Sequence, residues 1–146
     1  NAGSLAKAIV EKRAEASIKT SEELKTALRK FLPQYKEHKI LAQIYQAIRI
    51  EVNDEIGALE EMLNSAVDLL DENGRLVVLS YHSLEDRMVK NLFKKGNIEG
   101  VLEKDFFGNP NKVLKEINRK VIIASDNEIA NNSRARSAKL RIAEKI

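Results

Sequence analysis

An α/β domain with a helical appendage and basic edges is predicted by three features of the sequence. A short apolar run, Leu76-Val77-Val78-Leu79, opened by Asn73-Gly74, has the length and composition of a buried strand. Ser83 followed by Asp86 is a Ser-x-x-acid capping signature, which starts a helix at Ser83 and carries it to about Lys95. Ile40, Ile44, Ile48, Val52, Ile56, Leu59, Leu63, Val67 and Leu70 then keep a three-to-four spacing, the period of an amphipathic helix. Strand, tight turn and helix are thus packed into residues 75–95, and in an open parallel α/β sheet ligands bind at such a turn, at the carboxyl end of a strand.

The elements follow in chain order. Leu5, Ile9, Val10 and Arg13 sit at helical spacing within residues 4–16. Thr20 as N-cap with Glu23 three residues on forms a capping box, opening a second helix through Leu24, Leu28 and Phe31 that Pro33 stops. These short helices suggest a small helical lobe. The stretch from His38 to Leu70 is one very long helix or two joined near Asn53-Gly57; a single helix would bridge the lobe and the sheet. Residues 96–117, punctuated by Gly96, Gly100, Gly108 and Pro110, read as a loop with one turn of helix at most and an aromatic pair at Phe106-Phe107. Lys120 to Ala124 reads as a strand, Ser125-Asp126 as a turn or cap, and Ala138 to Ala143 as a last strand. These two strands are expected to pair antiparallel at the sheet edge.

Composition narrows the function classes. The 146 residues are 43% hydrophobic and 32% charged, as in a soluble globular chain, and no apolar run reaches membrane-spanning length. Without cysteine, disulfides and thiolate metal sites are excluded; with only His38 and His82, a histidine metal site is not expected. The absence of cysteine is compatible with a reducing cytoplasm, the expected location. Asn1-Ala2 reads either as the scar of a cleaved tag or as an internal start within a longer protein. The net charge of +3 conceals a basic first third and a basic last third around an acidic middle. Basic ends suit an anionic partner such as RNA, and equally suit ordinary solvated helix faces.

Several residues are candidates for chemistry, each with a structural reading beside the functional one. His82, between strand end and helix, could contact a base or phosphate or accept a proton, or could hydrogen-bond the turn. Glu85 and Asp86 lie in the first helical turn, where the helix dipole already favours acids; Arg87 opposes that dipole unless something pairs with it. Gln46 and Arg49, one turn apart, could meet a nucleic-acid backbone or be solvated. Arg134, Arg136, Lys139 and Arg141 place four cations within eight residues, without an acid between them. Along a strand, Arg134 and Arg136 would face one side, and Lys139 and Arg141 the other. Guanidinium groups match phosphate geometry, so phosphate contact is a reasonable role. No Gly-x-Gly-x-x-Gly, Walker lysine loop, Gly-x-Ser-x-Gly or His-Glu-x-x-His occurs.

Tyr81-His82-Ser83-Leu84-Glu85-Asp86-Arg87 resembles the Phe-His-Ser-Leu-Glu-Asp-Arg signature of bacterial S-adenosylmethionine-dependent methyltransferases acting on cytosine N4 of 16S ribosomal RNA. Three further segments agree in order: Ala8 to Arg13, Gln46 to Glu55, and Arg134 to Arg141. Tyr81 departs from the usual Phe, Ser133 stands where Pro is common, and Ile44-Tyr45 replaces Thr-Phe. The family's Gly-rich cofactor loop, ribose-binding acid and Asp-Leu-Gly-Val-Ser-Ser stretch have no counterpart here.

The resemblance implies the carboxyl half of a Rossmann-like methyltransferase sheet plus part of an inserted all-helical lobe. Residues 1–50 would belong to the substrate-recognition lobe and residues 51–146 to the methyltransferase domain. It implies S-adenosylmethionine as cofactor, held mainly by residues outside this chain, and 16S ribosomal RNA or the small ribosomal subunit as partner. It also places His82, Asp86 and Arg87 at the pocket rim and Gln46, Arg49, Arg134 and Arg136 on the RNA, with no catalytic base assigned. The fragment alone is expected to be inactive. A half-sheet with an exposed edge could pair with a second copy, so a homodimer is also an expectation. The alternative function is a non-enzymatic RNA-binding or ribosome-assembly module that keeps this half of the fold.

Overall fold

A computed structural model describes residues 2–146; Asn1, with its tag-or-internal-start ambiguity, lies outside them. The chain forms two compact units, divided between Asp54 and Glu55.

The first unit is helical: α1 (Ala2–Glu15), α2 (Ser21–Leu28) and α3 (Glu37–Val52), with short 3-10 turns at Arg29–Phe31 and Gln34–Lys36. The capping box is present as expected. The Glu23 backbone N–H donates to Thr20 Oγ1 at 3.2 Å, and Glu23 Oε2 accepts the Thr20 N–H at 3.1 Å. Leu24, Leu28 and Leu41 are its buried apolar residues.

The second unit holds α4 (Glu55–Leu69), β1 (Arg75–Ser80), α5 (Ser83–Lys95), β2 (Leu114–Glu116), β3 (Ile122–Ile123), α6 (Asp126–Asn131), a 3-10 helix at Ser133–Ser137 and β4 (Lys139–Lys145). The long periodic stretch is therefore two helices, not one bridging helix. Asn53 caps α3 by donating its N–H to the Arg49 carbonyl at 3.0 Å, and Asp54 follows at φ 49. Asp tolerates that left-handed conformation, which breaks the i→i−4 ladder while the apolar period runs on.

Strand β4 is the middle of the sheet, not its edge. It pairs antiparallel with β1 along Arg75↔Glu144 to Ser80↔Lys139, and its other side takes β2 at Leu114↔Lys145 and β3 at Ile122↔Leu140. All strand pairings among the described residues are antiparallel; β1 and β2 run the same way, with the reversed β4 between them. Strand β2 lies within the stretch read as loop, where three residues are too few to show an alternation. Between β2 and β3 the ladder is interrupted, and Asn118 fills the gap with its side chain. Its Oδ1 accepts the Ile142 N–H at 2.7 Å, while its Nδ2 donates to the Lys120 carbonyl at 2.9 Å.

One face of the sheet carries the core. Leu63, Met88, Val89, Leu92, Phe93, Leu114 and Ala143 form the buried cluster, with Leu76 and Val78 packed against it. On the opposite face Val77 and Leu79 are 54% and 51% exposed, so β1 is covered on one side only, not buried on both. At the far end of α5, Gly96 adopts φ +90 as a left-handed C-cap; a Cβ there would lie 2.8 Å from the Asn111 carbonyl oxygen. No helix among the described residues is long and apolar enough to cross a membrane.

Because Asn118 stands in for backbone partners, Asn118→Ala leaves the Ile142 N–H without its acceptor. Chemical denaturation should show a loss of about 1–3 kcal/mol, and a loss near zero would mean that the interruption is satisfied otherwise.

Candidate functional site

The carboxyl end of β1 is held by two acids with separate tasks. Glu85 reaches back over the turn: its Oε2 accepts the N–H groups of Tyr81 at 3.1 Å and His82 at 3.2 Å. His82 is the N-cap residue, with extended backbone, and Glu85 occupies the third helical position. The Ser83–Asp86 capping pair is therefore displaced by one residue, since the strand hands over to the helix at His82 and Ser83 is already helical. Ser-x-x-acid and His-x-x-acid overlap here, and only the backbone geometry separates them.

Asp86, freed from capping, turns to β4. Arg141 donates from Nε to Oδ1 at 2.7 Å and from a terminal guanidinium nitrogen to Oδ2 at 3.2 Å, and Lys139 Nζ lies 3.3 Å from Oδ2. Asp86 and Arg141 are both buried. Burial works against the charged carboxylate, but the hydrogen bonds and charges of Arg141 and Lys139 outweigh it and hold Asp86 below the usual aspartate range. A buried, bidentate, doubly paired carboxylate is a structural clamp. Asp86 thus fixes the start of α5 against β4.

The half-exposed Tyr81 ring stands between two open clefts. One, about 280 Å³, is lined by Glu55, Leu59, Met62 and Val89 with the end of β1. The other, about 200 Å³, is bounded by Ile122, Ile123, Glu128, Asn132, Ala135 and Ala138. The second cleft brings Tyr81, at the end of β1, beside Asn132, Ala135 and Ala138, and so joins two of the matching segments that are far apart in sequence. That segment is a 3-10 helix, not a strand: the Asn132 side chain accepts the Arg134 N–H at 3.1 Å, and Ala135 is buried as its anchor. Arg134 and Arg136, on either side of that anchor, are exposed and make no ion pair among the described residues.

Arg87 is likewise exposed and without an ion pair among the described residues. His82 is half-buried. Gln46 and Arg49 lie on α3 in the other unit, half-buried and exposed respectively. Sequence reasoning missed the placement of Tyr81 on both clefts and the turn-closing bonds of Glu85. Aromatic character at the strand end was the available signal for Tyr81, while the turn contacts of Glu85 were masked by Asp86 beside it.

The chain belongs to the MraW methylase family, which it matches over residues 2–146. It is 57% identical over 145 residues to the ribosomal RNA small subunit methyltransferase H of Flavobacterium psychrophilum, covering 99% of this chain and 50% of that protein. The proteins of the same name in Flavobacterium johnsoniae and Parabacteroides distasonis are 55% and 51% identical, over 100% and 97% of this chain and 48% and 47% of their own lengths. The chain spans about half the length of the curated relatives it matches.

The clamp predicts a signed pH dependence. Asp86 has a lowered folded pKa, so its contribution is complete above the ordinary aspartate value of about 3.9 and is lost as pH falls through the lowered one. Asp86→Asn should cost about 3 kcal/mol at neutral pH, because Arg141 is left buried and unpaired. Denaturation at a series of pH values should show the gap between variant and parent closing below pH ~4; a pH-independent gap contradicts the ion pair.

Proposed function

We propose that the protein carrying this chain transfers a methyl group from S-adenosylmethionine to N4 of a cytosine in 16S ribosomal RNA. The observation that carries the reading is the match of the chain to the MraW methylase family over residues 2–146; an open cleft that Tyr81 shares with Asn132, Ala135 and Ala138, in and around the segment bearing the exposed Arg134 and Arg136, supports it. The relatives' name, ribosomal RNA small subunit methyltransferase H, supports the RNA substrate class and the small subunit as its source.

The residues present fit the cofactor only in part. The clefts beside Tyr81 offer apolar walls, but the one carboxylate at the strand end, Glu85, has an oxygen occupied by two backbone N–H groups. The sequence contains no glycine-rich phosphate-type turn. The main cofactor contacts are therefore assigned to residues outside this chain, and this chain alone is expected to bind S-adenosylmethionine weakly or not at all and to be inactive. The cofactor supplies an electrophilic methyl group on a sulfonium that leaves as a neutral thioether.

What this chain supplies is positioning. The exocyclic amine of cytosine is a weak nucleophile, so its lone pair must be aligned with the methyl carbon and the base removed from its stack. Tyr81 offers a half-exposed ring beside which such a base can lie. His82, at the helix N-cap, follows it directly, and Arg87, Arg134 and Arg136 are cations suited to the flanking phosphates. Gln46 and Arg49, on the helical unit, are assigned to RNA contact. The proton released from N4 is given no acceptor within this chain.

In the full-length protein, Arg134→Ala with Arg136→Ala should lower kcat/KM for unmethylated small subunits about ten-fold or more, since phosphate contacts of this kind carry much of the affinity. Calorimetric affinity for S-adenosylmethionine should be unchanged. Mass spectrometry of the digested RNA should find N4-methylcytidine; methylation at another atom, or none by the unaltered protein, would overturn the reading.

A further inference from the structure

Residues 103–111 form a stapled hairpin tip that the methyltransferase chemistry above does not use. Lys104 and Pro110 make a β-bridge, the Asn111 N–H donates to the Glu103 carbonyl at 2.9 Å, and the Asp105 N–H donates to the Asn109 carbonyl at 2.9 Å. The Asp105 carboxylate then closes the turn from inside. Its Oδ1 accepts the Phe107 N–H at 2.9 Å and the Asn109 N–H at 2.8 Å, and its Oδ2 accepts from Asn109 Nδ2 at 3.1 Å. Those bonds, with the Asn109 side chain foremost, hold the Asp105 carboxyl below its ordinary range. Gly108 at φ +86 provides the left-handed residue such a turn requires.

This rigid tip presents two aromatic rings to solvent. Phe106 is 96% exposed and Phe107 85%, with their centroids 5.6 Å apart and their planes at 87°. Full exposure of adjacent phenylalanines is costly in water and contributes nothing to the core. We infer that the Phe106-Phe107 tip is an RNA-contacting prong that stacks on an unpaired base of the substrate RNA; the inference rests on the RNA substrate proposed above.

Three features favour a base over other occupants. In sequence the rings are flanked by polar and charged residues, Lys104, Asn109, Asn111 and Lys112, with Glu103 the other exposed acid of the tip. The acid nearest them, Asp105, is engaged by the turn, and exposed cations follow at Lys115, Arg119 and Lys120. Aromatic rings interleaved with cations are the surface that binds single-stranded nucleic acid: the π faces take bases of any sequence and the cations take the backbone. The staple also orders the rings before binding, so little side-chain and loop entropy is lost on contact.

The test uses the full-length protein and two probes, protein-free unmethylated 16S ribosomal RNA and intact small subunits. Phe106→Ala with Phe107→Ala should weaken binding to the protein-free RNA about ten-fold or more, leave the slope of log affinity against log salt unchanged, and leave the thermal midpoint unchanged. The Tyr pair should keep the affinity and the Leu pair should lose it, since Leu retains the apolar area but not the π face. Unchanged affinity in the Ala pair, rescue by Leu, or a loss seen only with intact subunits would overturn base stacking, the last by making the tip a protein contact. If the unaltered protein binds the RNA without salt dependence, the RNA-substrate reading falls and this inference with it.

Discussion

Cations on strand β4 hold this sheet together. At one end Lys145 Nζ donates to the Val67 and Leu70 carbonyls at 2.8 and 2.7 Å, closing the carboxyl end of α4 where the helix dipole favours a positive charge. At the other, Arg141 and Lys139 grip Asp86 and thereby the amino end of α5. Small Ala143 lies between them, fully buried, letting the helices approach the sheet. One strand therefore sets both helices that cover it, and the Tyr81-His82 turn inherits its position from the second of these attachments.

That division explains how a motif dense in charge separates into scaffold and site. Of Glu85, Asp86 and Arg87, the first folds the turn, the second anchors the helix and the third remains exposed. The pattern repeats around Ala135, whose burial pins a short helix while Arg134 and Arg136 stay outside. Internally satisfied acids beside unpaired cations leave a surface suited to phosphates, although the second unit as a whole is not strongly basic.

Much of the local structure was legible in the sequence because it is encoded locally. The Thr20–Glu23 box, the helix from Ser83 to Lys95, the cap at Ser125 and the strand before His82 each depend on residues a few positions apart. What was not legible depends on partners distant in sequence. Nothing near residue 140 marks β4 as the centre of the sheet, and the three residues of β2 acquire their meaning only beside Ala143 and Lys145. The placement of Lys139 and Arg141 on one face of a strand was readable from their spacing. That Asp86, more than fifty positions earlier, is their partner was not, and so Asp86 was assigned first to a cap and to the pocket rim. The break at Asp54 was hidden for another reason: a continuous apolar period says which face is buried, not whether the backbone is continuous. The candidate site was proposed through its motif, while the turn-closing hydrogen bonds of Glu85 emerged only from the geometry of the turn.

The claim that the Asp86–Arg141 attachment positions the site is tested most directly by a double-mutant cycle on these two residues, read both as stability and as methyl transfer by the full-length protein. With Asp86→Asn and Arg141→Met made singly and together, the account predicts a coupling energy of about 2 kcal/mol or more. It also predicts that the double variant recovers part of the activity lost in each single variant, because no unpaired buried charge remains. Additive losses in both readouts would contradict it, showing that the two side chains act independently and that the turn is held by other means.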